Sequence, residues 1–313
     1  MKSEAALAKR KNRSPDFFFF GHKYSKGEAL TGTLFVLPAV ILGIVFVLLP
    51  IVISLAYAFT DANMLRLDNV SFIGFDNFVR AFKDEKMWKA FGNTMIFVVV
   101  VMPLQYGLAL GLALLLNSTR HLSAFFRTAF FMPVILSLAV TSMLWMNLLN
   151  SQNGLINSLL NSMGFPSLGF LDDPDMAMGC IIFISVWQGA GYQMLIFLSA
   201  LKNVDPMLYD AAKIDGAGAF GRFLHVTMPS IKPTGVFVLI TMLIGAFRIC
   251  IQPMVMTQGG PLDSTLTLSY YIYQNGIDYR DVGYSSAIAL LFTIVIASVS
   301  LGLRKVLGDD KNE

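Results

Sequence analysis

The sequence is poor in charge: aspartate, glutamate, lysine and arginine together make up only 14% of its 313 residues. Soluble globular domains carry about 25% charged residues. Hydrophobic residues account for 55% of this chain, and its mean hydropathy is +0.64. This composition excludes an ordinary soluble domain and predicts a polytopic membrane protein. The formal net charge of +3 is small, so the position of each charge is more informative than the total.

Cysteine is scarce as well. Cys180 and Cys250 lie in apolar runs without metal-ligand spacing, so we expect small buried side chains, with a disulfide as the alternative. The sequence contains no catalytic triad, metal-binding cluster or nucleic-acid patch. The leader KRKNR is basic but short, so we expect it to set topology or contact lipid head groups and not to bind nucleic acid. We therefore predict neither an enzyme nor a nucleic-acid-binding protein, and no cofactor bound by this chain.

Long apolar runs dominate the rest of the sequence. A helix needs about 20 apolar residues to cross the hydrocarbon core, and its backbone groups must be bonded internally. Six helical spans are therefore predicted, at approximately 34–59, 93–116, 128–149, 177–200, 234–256 and 282–303. The predicted fold is an all-α polytopic membrane protein with a leader at 1–29, a transmembrane domain at 30–305 and a tail at 306–313. The first run is too long for a cleaved signal peptide, so we interpret it as an anchor.

Lysine and arginine set the predicted orientation. With the N-terminus in the cytoplasm, the cytoplasmic segments hold sixteen of these residues and the outer segments hold six. Positive residues concentrate on the cytoplasmic side of membrane proteins. Both termini and the loop 201–233 are therefore predicted to be cytoplasmic.

The two longer outer loops differ in pattern. Loop 60–92 carries aromatic residues spaced mainly by three and four, typical of an amphipathic helix at the membrane surface: Phe72, Phe75, Phe78, Phe82 and Trp88. Loop 150–176 contains the glycine, proline and aspartate residues of GFPSLGFLDDPD, and we interpret it as turns.

A short helix is predicted inside the cytoplasmic loop. Asp205 is a good N-cap, Pro206 suits the first helical position, and Gly216 suits the end, where a left-handed residue is often needed. The loop would then project as a helix-turn-helix whose exposed ridge carries Leu208, Ala211 and Ala212. An ordinary amphipathic connector is the alternative interpretation.

This loop resembles a known family. Asp210-Ala211-Ala212, three residues, Gly216, nine residues and Val226-Thr227-Met228-Pro229 are similar to the EAA loop of ATP-binding-cassette (ABC) importer permeases. The family pattern is Glu-Ala-Ala, three residues, Gly, nine residues and Ile-x-Leu-Pro, so three positions differ conservatively. Further runs resemble the carbohydrate branch, of the maltose and glycerol-phosphate permease type: Phe72–Phe78, Asn93-Thr94, Leu114–Asn117, Thr257–Pro261 and Tyr271–Tyr273. The resemblance covers roughly residues 34 to 305.

The resemblance implies a type I ABC importer permease fold in the cell membrane, and import of a sugar, an oligosaccharide or a related polyol or sugar phosphate. It also implies a second six-span permease, a different chain, together with two cytoplasmic ATPase subunits and an extracytoplasmic solute-binding protein. The short helix would insert into a groove of the ATPase. The implied coupling residues are Leu208, Asp210, Ala211, Ala212, Asp215, Gly216 and Pro229. This chain has no Gly-x4-Gly-Lys-Ser/Thr, so ATP would be used by the separate ATPase subunits.

Polar residues inside predicted spans are candidates for the solute path because they are costly to place there. Arg248 is the charged residue of the fifth span, with Gly245 and Gln252 one turn away on the same predicted helix face. On the fourth span Ser185, Gln188, Gly189 and Tyr192 form one predicted stripe beside Trp187. Gln105 and Asn147 are further candidates. The alternative for the stripe is helix packing, and for Arg248 an ion pair with a partner.

Three other function classes remain open at this point. An ion-driven secondary transporter would need intramembrane carboxylates, but no predicted span contains Asp or Glu. A membrane scaffold or sensor would use the loop only to hold a cytoplasmic partner. An amino-acid or polyamine ABC permease differs from the sugar hypothesis only by the resemblance of the Gly-Gly-Pro run.

Overall fold

The computed structural model describes residues 17–19, 22–24, 26–66, 68–118 and 123–308. Residues 1–16 of the predicted leader and 309–313 of the predicted tail lie outside the described residues. The described chain is almost entirely helical and forms two compact units, Met1–Tyr57 and Ala58–Glu313.

The first unit contains a short hairpin and one long apolar helix. Strand β1 (Phe17–Phe19) pairs antiparallel with β2 (His22–Tyr24), which is the departure from the all-helical prediction within the described residues. Helix α1 (Lys26–Gly43) continues through a π-helical turn into α2 (Leu49–Tyr57). The wider turn accommodates Pro50, whose ring would clash with the carbonyl of Phe46 in a regular α-helix.

The second unit holds the remaining helices. They are α3 (Asp76–Lys83), α4 (Glu85–Ser118), α5 (Ser123–Ile135), α6 (Leu138–Leu148), α7 (Leu155–Ser162), α8 (Pro174–Lys202), α9 (Pro206–Ile214), α10 (Ala219–Arg222), α11 (Met228–Phe247), α12 (Ile251–Met256), α13 (Leu268–Tyr273) and α14 (Val282–Gly308). Two π-helical turns, Phe223–Thr227 and Gln274–Asp278, join α10 to α11 and follow α13.

Helices α4, α8 and α11 form the scaffold of this unit. One apolar cluster contains the buried side chains of Ile181, Ile184 and Phe247, and the other contains those of Phe197 and Val238. Close helix contacts need small residues in membrane proteins. On α8, a Cβ at Gly191 would collide with the backbone carbonyl of Phe130 on α5, so glycine is required there.

Five described helices are long and apolar enough to span a membrane, and a sixth candidate is broken. The predicted third span, 128–149, is two helices, α5 and α6, bent by 96°. Pro133 removes one helical hydrogen bond near the end of α5, and Ser137 then takes an extended backbone conformation with ψ 136°. The region is therefore not one continuous helix, although the bent pair can still form the third span.

The two loops predicted to be outer also differ from their sequence interpretation. The amphipathic helix is only α3, and Trp88 belongs to the long helix α4 that follows. In loop 150–176 turns lie at 151–153 and within 163–173, but residues 155–162 form α7. The fully buried Asn157 holds α7 in place, because its amide donates to the carbonyl of Leu168 and accepts from the Leu168 amide, both at 2.9 Å. That contact is tertiary and leaves no periodic signal.

Candidate coupling helix and transport cavity

Helix α9 has the ends that its sequence predicts. The Asp205 carboxylate accepts a hydrogen bond from the Met207 amide at 2.9 Å, and Pro206 occupies the first turn. At the other end Gly216 has φ +80°, in the left-handed region. The amide of Ala217 donates to the carbonyl of Ala212 at 2.9 Å, and the amide of Gly216 donates to that of Lys213 at 3.1 Å. This pair of bonds is a Schellman motif.

One side of α9 packs on the protein. The hydroxyls of Tyr209 and Thr227 are 3.0 Å apart, and Tyr209 contacts the apolar cluster around Phe197. Leu208 and Ala211 are exposed, whereas Ala212 is half-buried. Helix α9 therefore has one face packed against the rest of the second unit and one face exposed.

The remaining predicted coupling residues are exposed. Asp210 forms an ion pair with Lys213 at 2.7 Å on the helix surface, where such pairs contribute little to stability. Asp215 ends the helix, and its amide donates to the carbonyl of Ala211. Pro229 lies exposed in the first turn of α11. Each of these side chains is accessible to a partner.

Sequence reasoning identified Leu208 but missed the other large exposed apolar side chains of this region. Met207 is 74% exposed and Ile214 is 87% exposed, and with Ala211 they share one face of α9 at i, i+4 and i+7. Phe220, in α10, is 76% exposed. Exposed apolar groups of this size mark interaction sites when they cluster. The helical spacing of Met207 and Ile214 was the available signal.

A cavity of about 370 Å³ lies between α4, α8 and the two helix breaks. Predicted path residues from separate spans meet there: Gln105, Ser185, Gln188, Gly189, Gly245, Arg248 and Gln252. Gln105 lies directly against Gly189, where a Cβ would collide with the Gln105 amide. The cavity also contains Gln193, which was not predicted although it is one turn beyond Gly189.

Hydrogen bonds fix part of the cavity wall. Ser185 Oγ is 2.9 Å from Gln252 Oε1 and joins α8 to α12. Gln188 Nε2 lies 3.3–3.4 Å from the carbonyls of Pro133 and Leu136, at the break between α5 and α6. Within the described residues the buried Oε1 atoms of Gln188 and Gln193 have no hydrogen-bond partner. Such acceptors are costly to bury and suit a solute that brings hydroxyl groups.

The predicted helix face through Arg248 is wrong. Helix α11 ends at Phe247, Arg248 is its C-cap at φ −86° and ψ 13°, and α12 begins only at Ile251. Gly245 and Gln252 therefore lie on different helices, although both line the same cavity as Arg248. The break brings these residues together by tertiary geometry and not by helical periodicity.

Other predicted path residues lie elsewhere. Tyr192 lines a separate groove with Phe131 and Phe237, so the stripe on α8 is divided between two surfaces. The Trp187 ring packs edge-on against Trp145, with ring centroids 5.5 Å apart, and does not line the cavity. Asn147 also lies outside it, and its side-chain amide donates to the Met143 carbonyl. Both cysteines are free, which removes the disulfide alternative.

One carboxylate connects the start of α4 to α13 and α14. Asp84 Oδ2 accepts from the hydroxyls of Tyr271, at 2.6 Å, and Tyr284, at 2.5 Å. Burial raises the pKa of Asp84, but these hydroxyls and the amides of Met87 and Lys86 outweigh it and hold the pKa below its usual value. Burial and the bond to Asp84 raise the pKa of Tyr271 to about 12.

Long apolar helices, a cavity at two helix breaks that contains arginine, glutamine and serine side chains, and an exposed helix-turn-helix are together typical of a multi-pass membrane permease. The chain belongs to the family of binding-protein-dependent transport system inner membrane components, whose family model matches residues 106–310. Members of this family are ABC transporter permeases of the cytoplasmic membrane and not enzymes, and they work with a solute-binding protein and an ATPase.

Curated relatives match over most of their length. The chain is 37% identical to the lactose transport system permease protein LacF of Rhizobium radiobacter, over 87% of this chain and 92% of that one. It is 33% identical to the arabinooligosaccharides transport system permease protein AraP of Bacillus subtilis (strain 168), over 93% and 92%. It is 31% identical to the sn-glycerol-3-phosphate transport system permease protein UgpA of Yersinia pestis, over 86% and 90%.

A solved structure has the same fold. It is a chain of a bacterial ABC transporter involved in the import of the acidic polysaccharide alginate, with a TM-score of 0.81 at 23% identity. The match covers 92% of this chain and 98% of that one. The fold is therefore that of a type I ABC importer permease.

Proposed function

We propose that this chain is the transmembrane permease subunit of an ATP-driven importer for a carbohydrate, a polyol or a sugar phosphate. The observation that carries the proposal is the cavity at the two helix breaks, where Arg248, unpaired amide oxygens and hydroxyl groups meet inside the membrane domain. Amide and hydroxyl groups match the hydroxyls of a sugar, and Arg248 would favour an oxygen-rich or anionic solute. The transport names of the relatives support the same solute class.

Helix α9 would be the attachment point for the ATPase. Its exposed apolar face fits helix-in-groove recognition, in which apolar anchors at helical spacing enter a groove of the partner. The distribution of lysine and arginine supports a cytoplasmic position for α9 and for both termini. The importer would also contain a second, different permease, two ATPase subunits and an extracytoplasmic binding protein. ATP binding would close the ATPases and switch the cavity between inward- and outward-facing states.

Substitution at Gly216 tests the coupling role with a matched control at the same position. Val at φ +80° is strained by about 1–2 kcal/mol, whereas Asn tolerates left-handed backbone. We expect Gly216→Val to lower uptake by about tenfold or more, and Gly216→Asn to stay near wild type. A cysteine at Leu208 should cross-link to the ATPase in the wild-type background and lose cross-linking with Gly216→Val. Equal uptake by both variants would contradict the proposal.

The energy source has a separate test. In cells kept high in ATP, an uncoupler of the proton gradient should leave uptake unchanged for an ATP-driven importer. Collapse of uptake under those conditions would favour the ion-driven alternative. Uptake competition with amino acids or polyamines, against mono- and oligosaccharides, would then separate the solute classes.

A further inference from the structure

Thr267 occupies a helix N-cap position but does not cap its own helix. It precedes α13, where a threonine hydroxyl would normally accept a bond from the first free amides. Instead, the fully buried Thr267 Oγ1 donates to the carbonyl of Ile249 at 2.8 Å. The hydroxyl is therefore used on the segment that separates α11 from α12.

Ser269 makes a second bond to the same break. Its Oγ donates to the carbonyl of Phe247, the last residue of α11, at 3.2 Å. The final carbonyls of a helix have no partner within that helix. Thr267 and Ser269 supply partners for two carbonyls on either side of Arg248.

Backbone hydrogen bonds also close the last turn of α11 just before the break. The amides of Arg248 and Ile249 donate to the carbonyls of Gly245 and Ala246, at 3.2 and 3.3 Å, which closes the last turn of α11 three residues back. The backbone amides therefore close the turn, and the hydroxyls of Thr267 and Ser269 donate to the carbonyls of Ile249 and Phe247. Arg248 lies between these bonds, at the wall of the cavity.

The start of α13 is in turn fixed to α4. Thr94 Oγ1 accepts from the amide of Leu268, the first residue of α13, at 2.8 Å. The Asn93 side-chain amide donates to the carbonyls of Asp263, at 2.7 Å, and Leu266, at 2.9 Å. Thr267 and Ser269 therefore belong to a segment that is hydrogen-bonded to α4. If this segment moved, the bonds from Thr267 and Ser269 to the carbonyls of Ile249 and Phe247 would be lost or would move with it.

We propose that Thr267 and Ser269 are positioning residues of the cavity: their hydroxyls hold α11 terminated at Phe247 and thereby keep Arg248 at the cavity wall. The inference rests on the proposed function, which makes the cavity the solute path. Its primary test measures the position of the Arg248 charge and needs no solute.

The native thiol of Cys250 is the reporter. Cys250 lines the same cavity two residues beyond Arg248, and Cys180→Ser leaves it as the single cysteine of this chain. The importer, purified in detergent with its partner subunits made cysteine-free, is treated with an anionic and a cationic methanethiosulfonate. A nearby guanidinium favours the anionic reagent, so the ratio of the two modification rates reports the position of Arg248. Arg248→Gln gives the ratio without that charge.

The double variant Thr267→Val/Ser269→Ala removes both hydroxyls. We expect its anionic-to-cationic rate ratio to fall by about fivefold, toward the Arg248→Gln value. Thr267→Ser/Ser269→Thr keeps both hydroxyls and should keep the wild-type ratio. Ser142→Ala removes a buried hydroxyl that donates to the Leu138 carbonyl of its own helix, and should also leave the ratio unchanged.

Two results would overturn the inference. One is a wild-type rate ratio in Thr267→Val/Ser269→Ala; the other is an equal fall in the hydroxyl-retaining pair. If the double variant fails to assemble, Ser269→Ala alone supplies the test, with a smaller fall expected and an unchanged ratio counting against the inference. Uptake is measured in parallel: a lowered ratio with normal uptake supports the positioning role and contradicts the proposed function of the cavity.

Discussion

Helix α9 and the cavity are built by different means. The ends of α9 are set by residues within one short stretch, where Asp205 caps the first turn and Gly216 closes the last. The cavity depends on two broken helices whose free backbone groups are bound from other parts of the chain, by Gln188 at one break and by Thr267 at the other. Local rules therefore specify the proposed coupling helix, whereas tertiary contacts specify the proposed solute path.

The largest effect is expected for Ala211→Pro. Proline inside a helix costs about 3 kcal/mol or more, and α9 has only nine residues, so the helix should be lost. Because one face of α9 is exposed, we expect uptake to be abolished while thermal unfolding of the membrane domain changes little. Ala211→Ser provides the helix-compatible control and should retain most uptake.

The same variant tests whether α9 is independent of the core fold. Coincident loss of uptake and of membrane-domain stability after Ala211→Pro would mean that α9 is part of the core fold. It would then be wrong to distinguish a helix α9 that is specified by its own residues from a cavity that is specified by tertiary contacts. Thermal unfolding in detergent, followed alongside uptake, decides the matter.

The same division explains what could be predicted from the sequence. The ends of α9 followed from Asp205 and Gly216, because capping acts over a few residues. Hydropathy gave the long apolar helices, since length and composition decide them. The position of Arg248 did not follow, because its helix ends where side chains from α13 bind its carbonyls. Helical periodicity placed Gln252 on the same helix face as Arg248, but the break between α11 and α12 puts Gln252 on a different helix.

The predicted polar stripe on α8 also depends on tertiary contacts that its spacing does not reveal. Ser185, Gln188 and Gly189 line the cavity, but Tyr192, further along α8, lines a separate groove with residues of α5 and α11. Helical spacing places residues on a face, and the neighbouring helices decide what each part of that face contacts. The roles of these residues in transport remain predictions.

Gly191→Ala should show the next largest effect, and it acts on the scaffold of the cavity. The new Cβ would collide with the Phe130 carbonyl, and such overpacking typically costs about 1–3 kcal/mol. Gly179→Ala, on the same helix, meets nothing within 4 Å and should be neutral or stabilising by up to about 1 kcal/mol. Thermal unfolding in detergent measures both, and equal shifts would contradict the close contact between α5 and α8.

Asp205→Ala should have a local effect of about 1 kcal/mol, because it removes the cap of α9. Amide hydrogen exchange within 206–214 should then be about fivefold faster, with exchange in α8 unchanged. Asp205→Asn keeps an acceptor for the Met207 amide and should preserve the wild-type exchange rates. Faster exchange throughout α8 in Asp205→Ala would show that the cap acts beyond its own helix.

The smallest effect at neutral pH is expected at Asp84, which lies far in sequence from both regions. Its pKa is below the usual value, so its contribution to stability is fully present at neutral pH and above the unfolded-state pKa. As pH falls from that unfolded-state value through the folded one, the carboxyl binds a proton and its contribution is lost. We therefore expect a steeper loss of thermal stability below about pH 4 in the wild type than in Tyr271→Phe, which lacks one donor to this carboxylate. Identical acid profiles would show that the bond from Tyr271 does not stabilise the Asp84 carboxylate, and would leave the Leu268 amide bond to Thr94 as a polar contact between α13 and α4.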